Sequence, residues 1–189
     1  MARLSSTRTS AARQTADKAA GGSGRQCLTF HLGDETYALD ILNIKEIIDY
    51  GRLTELPMMP ASIRGVINLR GAVVPVVDLA AHFSGQASEI RQRSCIVIAE
   101  IDKGDHRMDV GLMVDAVSEV IEVPEGDIRP APEFVGDVHA EYIDGMAKIN
   151  DEFVVILDIL NCLSDDDLAS LSRVTQRARH TDEPERNSG

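Results

Sequence analysis

No tryptophan occurs in this chain, and its 189 residues hold only four phenylalanines and three tyrosines. Its core therefore has to be mainly aliphatic, with no sign of the aromatic platforms on which nucleic-acid bases stack. Positive charge is short as well. Nineteen Lys and Arg face thirty-one Asp and Glu, a formal charge of −12. A phosphate backbone is repelled on average by such a surface, so no nucleic-acid partner is expected. Cysteine is limited to Cys27, Cys95 and Cys162, an odd count at wide spacing beside apolar runs. That pattern disfavours a disulfide scaffold and points to the reducing cytoplasm, with the thiols as ordinary small side chains. No apolar run approaches the roughly 20 residues that cross a bilayer, so no direct membrane insertion is expected.

The usual signatures of chemistry are missing too. Histidines stand at positions 31, 82, 106, 139 and 180, none in a metal-ligand spacing with the cysteines, and there is no Cys-x-x-Cys pair. Gly65 and Gly71 form neither a phosphate loop nor a dinucleotide fingerprint. The strand-to-helix serine elbow of hydrolases is absent. The expectation is a binding module without cofactor, metal or catalytic residues.

What is present is organised around turns and short apolar runs. Residues 1–25 are basic, rich in Ser, Thr and Ala, and end in Gly21-Gly22-Ser23-Gly24. They lack the apolar core of a secretory signal and are read as a disordered tail. Leu28, Phe30 and Leu32 alternate with Thr29 and His31, as a half-buried strand requires, and Gly33-Asp34-Glu35 turns the chain into Thr36-Tyr37-Ala38-Leu39.

The most informative feature is internal. Gly65-Val66-Ile67-Asn68-Leu69-Arg70-Gly71 leads into Ala72-Val73-Val74-Pro75-Val76-Val77-Asp78-Leu79. Eighty positions later, Gly145-Met146-Ala147-Lys148-Ile149-Asn150-Asp151 leads into Glu152-Phe153-Val154-Val155-Ile156-Leu157-Asp158-Ile159. With an offset of 73, Ala38–Ile41 matches Gly111–Val114, and Ile44–Ile48 matches Val117–Ile121. The order of matching features indicates a duplication. Each copy offers five short β segments without intervening helical periods, which predicts an all-β chain of two small barrels or curled sheets sharing an apolar interface.

Pro75 lacks a ladder donor and implies an edge or a bulge. Asp78 and Asp158 are expected to cap short helices. Ser164, with Asp167 three residues on, opens a short terminal helix docked by Leu168, Leu171 and Val174. Residues 176–189 are read as a second disordered tail. Arg70 sits on the turn before Gly71, where it either braces a nearby acid or faces a partner with its five donors. Ile41, Ile44 and Ile47 fit core or surface alike, and Glu46 fits a surface charge.

At these residues the chain resembles the CheW family of bacterial chemotaxis coupling proteins. Its marks are Leu28 to Leu32, Tyr37 to Ile48, and above all Gly65 to Leu79. In the second half they are Val110 to Val117, Ile128 to Phe134, and Tyr142 to Gly145. The likeness spans 26–172. It implies two SH3-like five-stranded β-barrel lobes, near 28–90 and 94–163, with strand exchange between them left open, followed by a short helix. It also implies a cytoplasmic, non-catalytic adaptor in membrane-associated arrays. Such an adaptor binds the cytoplasmic tip of a chemoreceptor and the regulatory domain of the chemotaxis histidine kinase. Ile41, Ile44, Glu46 and Arg70 then map to partner contacts. The related kinase regulatory domain, or an interaction module outside chemotaxis, is the alternative reading.

Overall fold

Two five-stranded sheets carry the fold, and neither is built from a continuous half of the chain. The computed structural model describes residues 23–135 and 138–181. The first copy supplies β1 (Gly24–Leu32), β2 (Glu35–Asp40), β3 (Ile44–Asp49), β4 (Ile63–Leu69) and β5 (Ala72–Asp78), then helix α1 (Leu79–Ser84). The second supplies β6 (Cys95–Lys103), β7 (His106–Val114) and β8 (Ala116–Pro124), then the two-residue strands β9 (Phe134–Val135) and β10 (Val138–His139). It continues through β11 (Ile143–Ile149), β12 (Glu152–Leu157), α2 (Ile159–Cys162) and α3 (Asp165–Thr181).

One sheet runs β3-β6-β7-β5-β4 and the other β8-β1-β2-β12-β11. Under the duplication these orders are identical, except that each lobe takes its first hairpin from the other copy. Strand exchange, left open for lobes near 28–90 and 94–163, is therefore present, and neither lobe is contiguous. Lobe 1 is β3 to β7, and lobe 2 is β1 and β2 with β8, β11 and β12. The exchanged strands contribute to the central core and to the lobe they enter. In β6, Val97, Ala99 and Ile101 enter the central core while Ile96 and Ile98 fill lobe 1. In β1, Leu28, Phe30 and Leu32 enter the central core and Cys27 fills lobe 2. β6, apolar on both sides, needs two layers to cover it, whereas β1 carries Thr29 and His31 on the face of Cys27.

Each sheet curls because the segment after its third strand returns along the fourth. Thr54 pairs with Val66 in lobe 1, and Arg129 pairs with Met146 in lobe 2. Gly65 and Gly145 permit this close approach. A Cβ on Gly65 (φ +145°) would run into the Thr54 carbonyl, and one on Gly145 into the Ile128 side chain. Pro75 lies neither on an edge strand nor at a bulge. Its partner Val66 turns both backbone groups toward Thr54, and the β5–β7 ladder begins only at Val76. The missing N–H thus falls where neither neighbour needs it.

Aromatics are few but gathered. Phe30, Tyr37, Phe83 and Tyr142 form a row at the lobe junction, with successive ring centroids 6.1, 6.5 and 6.1 Å apart. Both aspartate caps are present. Asp78 accepts from Ala81 N and Asp158 from Leu160 N. Ser164 and Asp167 form the expected capping box, with Ser164 Oγ accepting from Asp167 N at 3.1 Å and Asp167 accepting from Ser164 N at 2.8 Å. Leu168, Leu171 and Val174 are buried, contributing roughly 1.5–3 kcal/mol each.

Both tail boundaries shift. The helix continues through Thr181 rather than fraying near 176, since Gln176, Arg177, Ala178 and Arg179 favour helix and the cations suit its C-terminal end. At the other end β1 begins at Gly24, because Arg25 is held by Asp40, Glu125 and Asp144. The remaining tail expectations, for 1–22 and 182–189, lie outside the described residues.

Candidate partner-binding surface

The site begins with a bulge. β3 is an edge strand, and its pairing with β6 slips between Ile44, opposite Ala99, and Glu46, opposite Ile98. In a regular strand residues 44 and 46 share a face. The extra residue, Lys45, reverses that phase. Ile44 therefore turns with Ala99 toward the central core, and Glu46 turns with Ile98 toward the mouth of lobe 1. The equivalent slip recurs in β8 opposite Thr29, whose hydroxyl bonds to both backbone groups of Glu119. Just upstream, Asp40 caps the short helical turn Ile41–Asn43 through Leu42 N at 2.9 Å. That turn packs Ile41 against the central core and leaves Leu42 88% exposed.

Arg70 approaches the same mouth from the β4–β5 turn. The turn places Arg70 at φ +52° and Gly71 at φ +85°, the mirror-image geometry that joins twisted strands, and Asn68 accepts from Gly71 N at 2.9 Å. The second copy uses Asn150 and Asp151 there, at φ +51° and +67°. Asn and Asp tolerate the left-handed region; Arg is an unfavourable choice for it. The guanidinium pairs with both Glu46 oxygens, at 2.7 and 2.8 Å, yet the Arg70 side chain stays 76% exposed. This pairing holds the Glu46 carboxyl below its ordinary range, chiefly through the hydrogen bond from Arg70.

A cavity of about 320 Å³ opens beside the pair, lined by Lys45, Glu46, Leu69, Arg70, Ile98 and Asp109 among others. Lys45 bridges Glu100 at 2.9 Å and Asp109 at 2.8 Å, and Arg107 adds a contact to Glu100 at 3.1 Å. The Lys45 hydrogen bond, followed by the charge of Arg107, lowers the Glu100 carboxyl. The result is a polar rim of paired cations and anions around an apolar floor of Leu69, Ala72, Val74 and Ile98.

Residues 26–167 match the CheW-like domain, three quarters of the chain. The chain belongs to the CheW-like domain family. It is 34% identical to the chemotaxis protein CheW of Klebsiella aerogenes over 163 residues, 86% of this chain and 96% of that one. It is also 34% identical to the chemotaxis protein CheW of Rhizobium meliloti, over 72% of this chain and 85% of that one. Among solved structures it resembles the scaffolding protein TtCheW of Thermoanaerobacter tengcongensis, with a TM-score of 0.68 and 32% identity over 78% of this chain and 93% of that one.

Within this CheW-like fold the four candidate residues divide into two groups. Glu46 and Arg70 meet at the mouth of lobe 1, while Ile41 and Ile44 sit half-buried along the junction of the lobes. Leu42 was not singled out from the sequence, and Ile47, 43% exposed opposite Val97, was noted only as fitting core or surface. The signal for Leu42 was the Asp40 cap, which fixes a helical turn and so breaks the strand alternation. Among the described residues, no three His, Cys, Asp or Glu gather as a metal site would require, and no helix is long and apolar enough to cross a membrane.

Proposed function

We propose that this chain is a non-catalytic adaptor that joins the cytoplasmic tip of a chemoreceptor to the regulatory domain of the chemotaxis histidine kinase. The observation that carries the reading is Arg70. The fold places it in a strained turn, where its duplicate has an ordinary turn residue, and leaves the guanidinium exposed although it is already paired with Glu46. Strain kept at a surface arginine is a sign of recognition rather than of folding. Ile41, Leu42, Ile44 and Ile47 add an apolar strip at the lobe junction, suited to the side of a helical receptor tip. Family membership, and the chemotaxis and scaffolding roles named for its relatives, support this choice of partners.

The purified chain is expected to bind a chemoreceptor cytoplasmic fragment and a kinase regulatory domain separately, and to raise kinase output when all are combined. Pull-down with a reconstituted kinase assay tests this. Binding to neither partner refers the chain to an interaction role outside chemotaxis. Phosphoryl transfer by the chain alone, with ATP and magnesium, would overturn the non-catalytic assignment.

A further inference from the structure

Two of the links by which the chain crosses between the lobes are very short. One is Asp115, between β7 and β8. It is pinned to the β1–β2 turn, with its N–H donating to the His31 carbonyl at 3.0 Å and its carboxylate accepting from Gly33 N at 2.7 Å. The other is Ile41–Asn43, between β2 of lobe 2 and β3 of lobe 1. Ile41 rests on the central core, but the exposed Leu42 is held through its backbone by Asp40. The Asp40 carboxylate is divided: Oδ1 accepts from Leu42 N at 2.9 Å, and Oδ2 faces Arg25 Nε at 3.9 Å.

Arg25 reaches Asp40 from β1, where Cys27 stands opposite Asp40 and Arg25, two residues earlier, shares the face of Cys27. Its guanidinium also takes Glu125, at 3.3 Å, from the short turn Glu125–Asp127 that follows β8. A third partner is Asp144, the residue at which the β11–β12 pairing slips between Ile143 and Gly145. One cation thus gathers three carboxylates from three segments, and among the described residues no other Lys or Arg pairs with any of them. Without it, three like charges would face one another. The Arg25 side chain is 22% exposed, against 76% for Arg70, so water and salt screen this network far less than the pair at the mouth of lobe 1.

We propose that Arg25 is a positioning residue for the partner-binding turn Ile41–Asn43, acting through Asp40. Its charge keeps the Asp40 carboxylate turned so that one oxygen stays on Leu42 N, which holds the exposed Leu42 and the half-buried Ile41 in the orientation a partner helix meets. Ordering the turn before docking spares the complex that cost. The same guanidinium anchors the link to Glu125 and Asp144, so the turn is fixed to the frame of lobe 2 although it leads into lobe 1. What the turn contacts rests on the adaptor reading; how it is held does not.

The test uses the full-length chain with Arg25→Gln, Arg25→Lys, Asp40→Asn and the double variant Arg25→Gln with Asp40→Asn. Asn keeps an oxygen that can cap Leu42 N and loses the charge that faces Arg25. Backbone order parameters at Leu42 and Asn43 are expected to stand near about 0.85 in the wild type and to fall below about 0.6 in Arg25→Gln. Affinity for a chemoreceptor cytoplasmic fragment should fall about fivefold, the scale of a lost cap. Arg25→Lys, which keeps the charge, should recover part of both. The double variant should be no worse than Arg25→Gln, because the two residues act along one path. A turn that stays rigid in Arg25→Gln, a loss of order spread evenly along β1, β8 and β11, or additive effects in the double variant overturns the proposal. If the wild-type chain binds no receptor fragment, the adaptor reading falls, while the order parameters and their coupling still decide the role of Arg25.

Discussion

Replacing Arg70 with Asn, the residue the second copy carries at position 150, separates folding from recognition. The backbone at 70 stands at φ +52°, where Asn is at home and Arg is not. Relief of that strain should raise the melting temperature by about 2–4 °C in a chain of this size. The lost pair with Glu46 subtracts little, because its cation is 76% exposed and surface pairs contribute weakly. Arg70→Asn is therefore expected to melt at or above the wild-type temperature. Partner affinity should move the other way. Loss of an interfacial charge that becomes buried and hydrogen-bonded on docking weakens binding on the order of 30-fold or more.

Titration supplies a third readout. Arg70 holds the Glu46 carboxyl low, so its contribution to stability is present above the unfolded pKa and lost as pH falls through the lower folded pKa. Without Arg70 the Glu46 carboxyl carbon should titrate at higher pH, toward the ordinary glutamate range. Calorimetric melting, titration calorimetry against the receptor fragment and kinase domain, and carbon-detected pH titration cover the three quantities. A fall in melting temperature with partner affinities unchanged would refute the reasoning and make Arg70 a brace.

Further outcomes follow from the duplication and from burial. Asp78 is fully buried and bonded to Arg64, Ser88 and Ala81 N, so Asp78→Ala should cost about 3–5 kcal/mol in denaturant unfolding. Its counterpart Asp158 serves mainly as a cap, and Asp158→Ala should cost only about 1 kcal/mol. Gly65→Ala should destabilise more than Gly145→Ala, since the added methyl meets backbone at Thr54 but a side chain at Ile128; equal losses would contradict that account. Burial pushes the Cys27 thiol up to about 11 and raises Cys162 as well. A thiol reagent at pH 8 should therefore modify Cys95 alone in the native chain and all three after unfolding.

The sequence exposed the repeat because duplication preserves order even where identity decays. Gly65 and Gly145, Asp78 and Asp158, and the two mirror-image turns each occupy the place their spacing assigned. Strand exchange was not legible. Cys95–Ile101 is mostly apolar on both faces and Cys27–Leu32 alternates, and neither pattern says which sheet provides the burial. Pro75 was misplaced for a related reason: its partner's hydrogen bonds go to Thr54, a contact between segments that no local pattern reveals. The site was half visible. Arg70 stood out beside Gly71, and Glu46 was noted as a charge, but their pairing depends on the bulge at Lys45. A bulge changes register without changing composition, so the alternation of Ile44, Glu46 and Ile48 gives no sign of it.

The exchange also bears on how one surface can inform the other. A lobe built from its own half of the chain could loosen while its neighbour stayed folded. Here lobe 1 holds β6 and β7 and lobe 2 holds β1 and β2, so each sheet needs both copies to be complete. The central core draws Leu28, Phe30 and Leu39 from one sheet and Val97, Leu112 and Val114 from the other. The half-buried Ile41 and Ile44 rest on that same core, and the bulge that follows Ile44 sets the direction of Glu46 toward Arg70. A partner docked at the lobe junction, as proposed, would meet the residues that orient the ion pair at the mouth of lobe 1. The contact path from junction to mouth is three residues of β3: Ile44, the bulged Lys45 and Glu46.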